Sequence, residues 1–342
     1  MSDWREGLHS DERELLVRSK HPDWLSPMLA TLTEKRFSDA DWIFERKLDG
    51  ERLLAFRDRK GGEDRIRLLT RNQKSALATY PDIGQALEAQ PVADFVVDGE
   101  AVAFDGTVTS FSRLQQRMQI TDPEEARNSA IRVYYYVFDL LHLEGHDLDA
   151  LPLRTRKRLL RQLFDFRGPI RFTPHRNEHG EPFFRTACAR GWEGIIAKRA
   201  ESRYRHSRSR DWLKFKCHNQ QELIIAGFTE PQGERKGFGA LLVGYYDKDG
   251  TEDALCYAGK VGTGYDDDFL DQFRQRMDRH RVEQCPFVDA PSVDGVHWIE
   301  PRFVGEFEFT EWTGDGKLRH PRFLGLRRDR SARDVTREGP DD

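Results

Sequence analysis

The chain has 342 residues, of which 37% are hydrophobic and 33% charged, and its formal net charge at pH 7 is −4. At about 100 to 200 residues per domain, this length predicts two domains, each large enough to bury a core. No apolar run approaches the roughly 18 residues of a membrane span, and the polar first residues lack the pattern of a secretory signal. We therefore expect a cytoplasmic protein with no membrane partner.

The four cysteines form neither a CxxC pair nor a dense framework, so we expect reduced thiols at Cys188, Cys217, Cys256 and Cys285. The near-neutral total charge excludes a uniformly basic nucleic-acid coat protein. Locally the charge is uneven. Lys198 to Lys216 holds eight Lys and Arg against two acidic residues, and Lys317 to Arg333 holds seven against one. Such concentrations are expected for phosphate-rich partners, although two solvated charged faces remain the alternative.

Alternating segments interrupted by helical patterns characterise the first two thirds of the chain. The predicted strands are Trp42 to Lys47, Arg52 to Arg57, Arg65 to Arg71, Phe95 to Phe104, Val133 to Leu141 and Gly194 to Arg199. The predicted helices are Ser110 to Met118, Thr155 to Phe164 and Pro182 to Arg190. We expect a leader over residues 1–24 and then an α+β domain built on antiparallel sheet over residues 25–217.

Shorter strands follow, beyond a polar boundary near Cys217 to Gln221. They are Leu223 to Phe228, Ala240 to Tyr246, Ala254 to Val261, Trp298 to Val304 and Glu306 to Trp312, with one amphipathic helix at Asp267 to His280. Five short strands and one helix indicate a small OB-fold β-barrel over residues 218–330, with a flexible tail over residues 331–342.

The segment around Lys47 has the most informative pattern in the chain. If residues 43–49 are extended, the period of two places Glu45, Lys47 and Asp49 on one face. The Asp49-Gly50 pair predicts a hairpin turn that brings Arg52 close to the same face. These side chains would line one pocket, although an ordinary hairpin with surface ion pairs would show the same pattern.

The segment Lys47-Leu48-Asp49-Gly50-Glu51-Arg52 resembles the nucleotidyl-acceptor motif of the covalent nucleotidyltransferases. This superfamily comprises ATP-dependent DNA ligases, RNA ligases and mRNA-capping enzymes. Further segments resemble its other motifs in the same order, namely Thr70-Arg71-Asn72, Asp98-Gly99-Glu100, Phe138-Asp139-Leu140-Leu141, Glu193 to Lys198, Trp212 to Lys216 and Leu318 to Arg330. In detail the chain is similar to the minimal bacterial and archaeal ATP-dependent ligases, notably the ligase module associated with Ku-type end joining.

The resemblance implies that Lys47 attacks the α-phosphate of ATP, giving lysyl-AMP and pyrophosphate. AMP then passes to a DNA 5′-phosphate, and a 3′-hydroxyl displaces it. Lys214, Lys216 and Arg327 are the other implied catalytic residues. The implied nucleotide-binding residues are Glu45, Arg52, Arg71, Glu100, Phe138, Lys198, Lys214, Asp329 and Arg330. The last motif of DNA ligases usually closes R-x-D-K, and Arg330 here keeps the charge of that lysine while changing its donor geometry.

An ordinary lysine, with a pKa of about 10.4, is protonated and unreactive at neutral pH. A bound Mg²⁺, or alternatively Mn²⁺, would disfavour the charged form of Lys47, and Glu100 and Glu193 are its expected oxygen ligands. The Glu45 carboxylate only accepts hydrogen bonds, so it suits the exocyclic amine of adenine and opposes the O6 acceptor of guanine. ATP is therefore expected over GTP.

The expected substrate is nicked or broken duplex DNA in repair, and the expected protein is a nucleoid-associated monomer with Ku as a possible partner. An RNA ligase or capping-type nucleotidyltransferase is the nearest enzymatic alternative. A non-catalytic nucleic-acid-binding module is the alternative from another class, but such a protein should have lost Lys47, Glu100 or Lys214, and all three are present.

Overall fold

The computed structural model describes residues 3–60, 63–120, 122–231, 233, 235–247 and 254–338. The chain divides into two compact units, of which one ends at Cys217 and the other begins at His218. Across the described residues, no helix combines the length and the apolar character that a membrane span requires.

The first unit contains most of the regular structure. Its strands are β1 (Val17–Arg18), β2 (Leu29–Leu32), β3 (Asp39–Lys47), β4 (Glu51–Lys60), β5 (Glu63–Thr70), β6 (Phe95–Asp105), β7 (Val108–Thr109), β8 (Val133–Leu143), β9 (His146–Asp147), β10 (Ile170–Phe172), β11 (His175–Glu178), β12 (Gly194–Arg199) and β13 (Arg208–Lys216). Its helices are α1 (Ser10–Glu14), α2 (Pro81–Glu88), α3 (Phe111–Met118), α4 (Pro123–Asn128), α5 (Leu153–Leu163) and α6 (Gly180–Ala189).

These strands form two sheets. The larger has the order β1-β9-β8-β6-β4-β5, with β7 beside β6 and β10 beside β8, and the smaller has the order β11-β3-β12-β13-β2. Neighbours are antiparallel except for β10 with β8 and β13 with β2. The α+β architecture built on antiparallel sheet is therefore confirmed.

The Asp49-Gly50 turn carries the chain from the smaller sheet to the larger, because β3 and β4 lie in different sheets. The predicted hairpin is wrong. Gly50 fits closely, since a Cβ there would lie 2.2 Å from the carbonyl oxygen of Ala101. Asp49 turns toward α3, where its carboxylate accepts a hydrogen bond from the amide of Phe111 at 3.1 Å and its own amide donates to the hydroxyl of Thr109 at 3.2 Å. The turn is thus fixed to the start of a helix.

Strand β4 shows how the larger sheet is buried on both faces. Leu53 and Ala55 pack into the core that the sheet shares with α2, α3 and α5. Leu54 and Phe56 alternate with them and pack into a second core with residues of the smaller sheet. Because successive side chains of a strand point to opposite faces, a continuous apolar run is required here.

A fully buried ion pair fixes α5 to β8. The guanidinium of Arg156 meets the carboxylate of Asp139 through two hydrogen bonds of 2.7 and 2.9 Å. Neither side chain is exposed. A further nitrogen of Arg156 donates to the carbonyl oxygens of Leu151 and Ser202 at 2.5 and 3.1 Å. The buried charge is therefore both paired and hydrogen-bonded, which is the condition for tolerating it.

The structure joins Cys188 and Cys217 by a disulfide, with their Cα atoms 5.3 Å apart. The expectation of four reduced thiols is therefore wrong for this pair. Cys188 lies in α6 and Cys217 directly follows β13, so the bond ties that helix to the end of the strand. The two cysteines are 29 residues apart in the sequence, which no short motif reveals. Cys256 and Cys285 are free thiols.

The second unit is mainly β-structure. Its elements are β14 (Asn219–Thr229), β15 (Leu241–Tyr246), β16 (Leu255–Val261), α7 (Asp267–Asp278), β17 (Arg281–Val282), β18 (Val296–Phe309), β19 (Glu311–Trp312), β20 (Leu318–Arg319) and β21 (Arg322–Leu326). The main sheet has the order β16-β15-β14-β18-β17, with β21 beside β18, and β19 pairs with β20. Helix α7 packs on this sheet through Leu270, Phe273 and Met277.

The predicted break between the last two strands is wrong, because β18 continues through Gly305. This glycine pairs with Leu223 on β14 and Leu326 on β21. A Cβ on it would lie 2.8 Å from the ring of Phe307. The glycine is therefore a packing requirement inside one strand and not a turn signal.

The buried pair predicts a strong stability effect. Asp139→Asn should lower the free energy of unfolding by about 3–5 kcal/mol, because it leaves the Arg156 charge buried without a counter-ion. Asp278→Asn is the matched control, since Asp278 also pairs with arginine but is 39% exposed, and it should change stability far less. Chemical denaturation of both variants measures the difference; equal losses would contradict this account of the fold.

Candidate active site

One face of the smaller sheet brings the predicted catalytic lysines together. Lys47 on β3 and Lys216 on β13 both pair with Gly194 on β12, so the three residues form one row across the strands. Two residues away, a parallel row runs from Glu45 across β12 to Lys214. Because paired residues of antiparallel strands, and residues two apart on one strand, point to the same face, these side chains share one surface.

Lys47 is ion-paired with Glu193, whose Oε1 lies 2.5 Å from the Lys47 Nζ. The Glu193 side chain is buried and Lys47 is partly exposed. A nearby carboxylate favours the ammonium form of an amine. The ion pair therefore holds the Lys47 amine in place beside Glu193.

Glu45 is buried between two lysines. Its Oε1 accepts a hydrogen bond from the Nζ of Lys157 on α5, and its Oε2 lies 2.6 Å from the Nζ of Lys198 on β12. Burial acts to raise the pKa of Glu45, but the two lysines outweigh it and the pKa is lowered. Burial also lowers the pKa of Lys198, against the opposing effect of Glu45. Glu45 is thus a charged acceptor held from two sides.

Arg52 lies on the larger sheet and meets Asp98 through two hydrogen bonds of 2.5 and 2.6 Å. Asp98 also accepts a hydrogen bond from the hydroxyl of Tyr204 at 2.6 Å, and that hydroxyl accepts one from the amide of Met28 at 2.8 Å. Burial acts to lower the pKa of Arg52, but Asp98 outweighs it and the pKa is raised. The guanidinium is thus fixed by a network that reaches Tyr204, between β12 and β13, and Met28, directly before β2.

Phe138 links the two sheets. Its ring centre lies 4.2 Å from the Nζ of Lys198 and 4.6 Å from the Cζ of Arg52. The residue is 7% exposed, so its role in stacking on the purine remains a prediction. Glu100 pairs in register with Arg52 on β4 and so lies on the larger sheet, and Arg71 directly follows β5 of that sheet.

The predicted catalytic residue Arg327 and the predicted nucleotide-binding residues Asp329 and Arg330 form a charge cluster within the second unit. Arg327 lies 2.9 Å from Asp329, 3.1 Å from Glu306 and 3.4 Å from Glu222. Arg330 also pairs with Glu222. Burial, together with the neighbouring Asp329 and Glu306, raises the pKa of Glu222 to about 7 although Arg327 opposes this. The Asp329 side chain is buried, and its ion pair with Arg327 fixes the position of that guanidinium.

Sequence reasoning did not identify Lys157, Asp98 or Tyr204 as parts of the site. Lys157 lies in a helix rich in charged residues, where a buried lysine shows the same pattern as an exposed one. Asp98 belongs to a D-G-E motif that gives no sign of its contact with Arg52, and no local signal connects Tyr204 to it. These residues come together only through the packing of the two sheets.

Two family models match the chain. The ATP dependent DNA ligase domain matches residues 27–216, and the ATP dependent DNA ligase C terminal region matches residues 234–330. These matches cover the first unit and most of the second, and their order is the order predicted from the motifs.

Individual relatives agree with the family models. The chain is 37% identical over 325 residues to the multifunctional non-homologous end joining protein LigD of Pseudomonas aeruginosa, covering 93% of this chain and 37% of the relative. It is 32% identical over 355 residues to LigD of Mycolicibacterium smegmatis, covering 97% of this chain and 44% of the relative. The chain thus spans less than half the length of these relatives.

A solved structure of a mycobacterial DNA ligase D complexed with ATP and MES has the same fold. It is 32% identical to this chain, with a TM-score of 0.63, and the match covers 92% of this chain and 98% of that one. The predicted nucleotidyltransferase and OB-fold architecture is therefore confirmed. With this fold, its motifs in order and matching models over most of its length, the chain belongs to the ATP-dependent DNA ligase family.

Proposed function

We propose that the chain seals nicks or broken ends in duplex DNA, using ATP to form a lysyl-AMP intermediate on Lys47. The contact of the Lys47 amine with Glu193 at 2.5 Å is the observation that carries the proposal. Lys47 is partly exposed, and the strand pairing puts it in one row with Lys216 and beside the row that contains Lys214. The three cations share a face, which suits a polyphosphate substrate.

In this proposal Lys47 attacks the α-phosphorus, the bond to pyrophosphate breaks, and a phosphoramidate forms. Lys214 and Lys216 hold the α-phosphate oxygens, where negative charge develops. AMP is then transferred to the 5′-phosphate of the DNA, and the 3′-hydroxyl displaces AMP to form the phosphodiester. Arg52 and Arg71 bind ribose or the 5′-phosphate, and Arg327 acts on the pyrophosphate end during the first step.

The carboxylates fit a divalent metal ion that is bound together with ATP. Among the described residues, no group of three His, Cys, Asp or Glu side chains is placed to hold a metal without other ligands. Mg²⁺ commonly takes one or two carboxylates and completes its shell with water and substrate phosphates, so Glu100 and Glu193 suffice as donors. When bound, Mg²⁺ or Mn²⁺ supplies positive charge that offsets Glu193 and disfavours the ammonium form of Lys47.

Electrostatics support duplex DNA as the substrate. Five arginines between β12 and the middle of β13 are exposed, namely Arg199, Arg203, Arg205, Arg208 and Arg210. Exposed arginines of this density favour contacts with backbone phosphates. By its similarity to LigD, we infer a role in joining DNA ends in the bacterial nucleoid, as a monomer that a Ku-type end-binding protein can deliver.

Substitution of the nucleophile tests the proposal directly. With Mg²⁺ and α-labelled ATP, the unchanged protein should acquire a covalent label, and Lys47→Ala should abolish it because no other amine takes its place. Lys20→Ala is the control, since Lys20 is an exposed lysine outside the site. Autoradiography of denatured protein measures the label; a label that persists in Lys47→Ala would falsify the proposal.

Glu193→Gln separates two effects of one carboxylate. If Glu193 is a metal ligand, the variant should form lysyl-AMP roughly tenfold more slowly and require more Mg²⁺. If Glu193 acts only by stabilising the ammonium of Lys47, its removal should increase the rate instead. Label formation across a Mg²⁺ titration measures both quantities, and a faster variant would contradict the assignment.

Arg327→Ala should slow lysyl-AMP formation about tenfold or more and slow sealing by pre-adenylated enzyme much less. Arg319→Ala is the matched control, because Arg319 is an exposed arginine of the same unit that pairs with the exposed Glu311. Thermal melting should accompany both assays, because Arg327 also holds three carboxylates. Equal losses in the two steps would count against a role in the first step.

A further inference from the structure

The cluster of Glu45, Lys157 and Lys198 contains a lysine that no motif identifies. Lys157 comes from α5, outside both sheets, and its side chain is 2% exposed. It nevertheless reaches the carboxylate that lies two residues from Lys47 on β3. A buried cation is thus in direct contact with Glu45, the candidate base-recognition residue.

All three hydrogens of the Lys157 ammonium have acceptors. Besides Glu45, the Nζ donates to the carbonyl oxygen of Thr173 at 3.0 Å and to that of Phe138 at 3.4 Å. An ammonium has three donors and no acceptor, so these contacts exhaust it. Lys157 therefore cannot rotate toward a ligand without losing a buried hydrogen bond, and its position is fixed from three directions.

The Lys198 ammonium is also held by contacts with buried side chains. Its Nζ lies 2.6 Å from Glu45, 4.2 Å from the ring centre of Phe138 and 4.0 Å from that of Trp212. The carboxylate of Glu45, in contrast, has about four lone-pair positions, and the two lysines occupy two of them. The cluster therefore retains acceptor capacity for a ligand on Glu45, whereas the Lys157 ammonium has no remaining hydrogen to donate.

We propose that Lys157 is a specificity-determining positioning residue of lysine adenylylation. Lys157 holds Glu45 so that lone pairs of its carboxylate face the edge of the purine. This orientation favours a purine with a 6-amino group over one with a 6-oxo group or with no substituent at that position. A 6-amino group donates to these lone pairs, whereas a 6-oxo group opposes them. This inference rests on the proposed function, because it concerns the nucleotide that Lys47 attacks.

The charge balance makes the proposal testable without unfolding the protein. The cluster holds two lysines and one glutamate, so replacing Lys157 by a neutral residue leaves the one-to-one pair of Glu45 and Lys198. No charge is left buried without a partner. Methionine has a similar length and suits an apolar environment. We therefore expect Lys157→Met to fold, while Glu45 loses one of its two supports and gains freedom to turn.

The experiment compares lysyl-AMP formation from ATP with the corresponding reaction of purine riboside triphosphate, which lacks the 6-amino group, and of GTP. The unchanged protein should prefer ATP over the purine analogue by about tenfold or more in kcat/KM. Lys157→Met should reduce this preference roughly tenfold, mainly through a higher KM for ATP, because base contacts contribute to substrate binding.

Arg161→Met is the matched control. Arg161 lies one turn further along α5, is exposed and packs over the ring of Phe172, as Lys157 does. It should keep the full preference for ATP. Lys157→Gln, which is also neutral, provides a second test of the same position. Melting temperatures of all variants establish that they are folded.

A folded Lys157→Met that forms lysyl-AMP and keeps the preference for ATP would overturn this inference and leave the proposed function standing. If both Lys157 variants unfold while Arg161→Met folds, the lysine is structural and the inference is also overturned. A wild-type protein with no label from ATP would instead defeat the proposed function itself. That result needs no variant, so the two failures are distinguishable.

Discussion

The carboxylate of Glu45 is the contact on which the geometry of the site depends. It lies on β3, two residues from Lys47, and binds one lysine from β12 and one from α5. Three separate elements are thereby fixed beside Lys47. The ion pair is buried, and a buried ion pair is tolerated only with further hydrogen bonds. Lys157 makes these with two backbone carbonyl oxygens.

The remaining charges are organised around this contact on the two sheets. The smaller sheet carries Lys47, Lys214 and Lys216 in two adjacent rows, while the larger sheet carries Arg52 and Glu100. Phe138 lies between Lys198 and Arg52 and so connects the sheets. Cations gathered on packed strands are preorganised, which is the condition for stabilising charge as it develops on a phosphate.

Much of this could be predicted from the sequence, because strand periodicity is local. The alternation at Glu45 and Lys47, and at Lys214 and Lys216, correctly placed them on one face. The crossing between sheets at Asp49-Gly50 could not be predicted, since a hairpin uses the same turn residues. Lys157, Tyr204 and the Cys188–Cys217 disulfide were missed because each depends on contacts between distant segments. Arg327 was found by its motif, but its three carboxylate partners lie up to about a hundred residues away along the chain.

Locating the adenylyl group within the protein tests the central claim most directly. After incubation with Mg²⁺ and ATP, tryptic digestion and mass spectrometry should find one AMP on the peptide that begins at Lys47 and ends at Arg52. The modified lysine should resist cleavage, so this peptide should appear only in the adenylylated protein. AMP on Lys198, Lys214 or any other residue, or no AMP at all, would contradict the account.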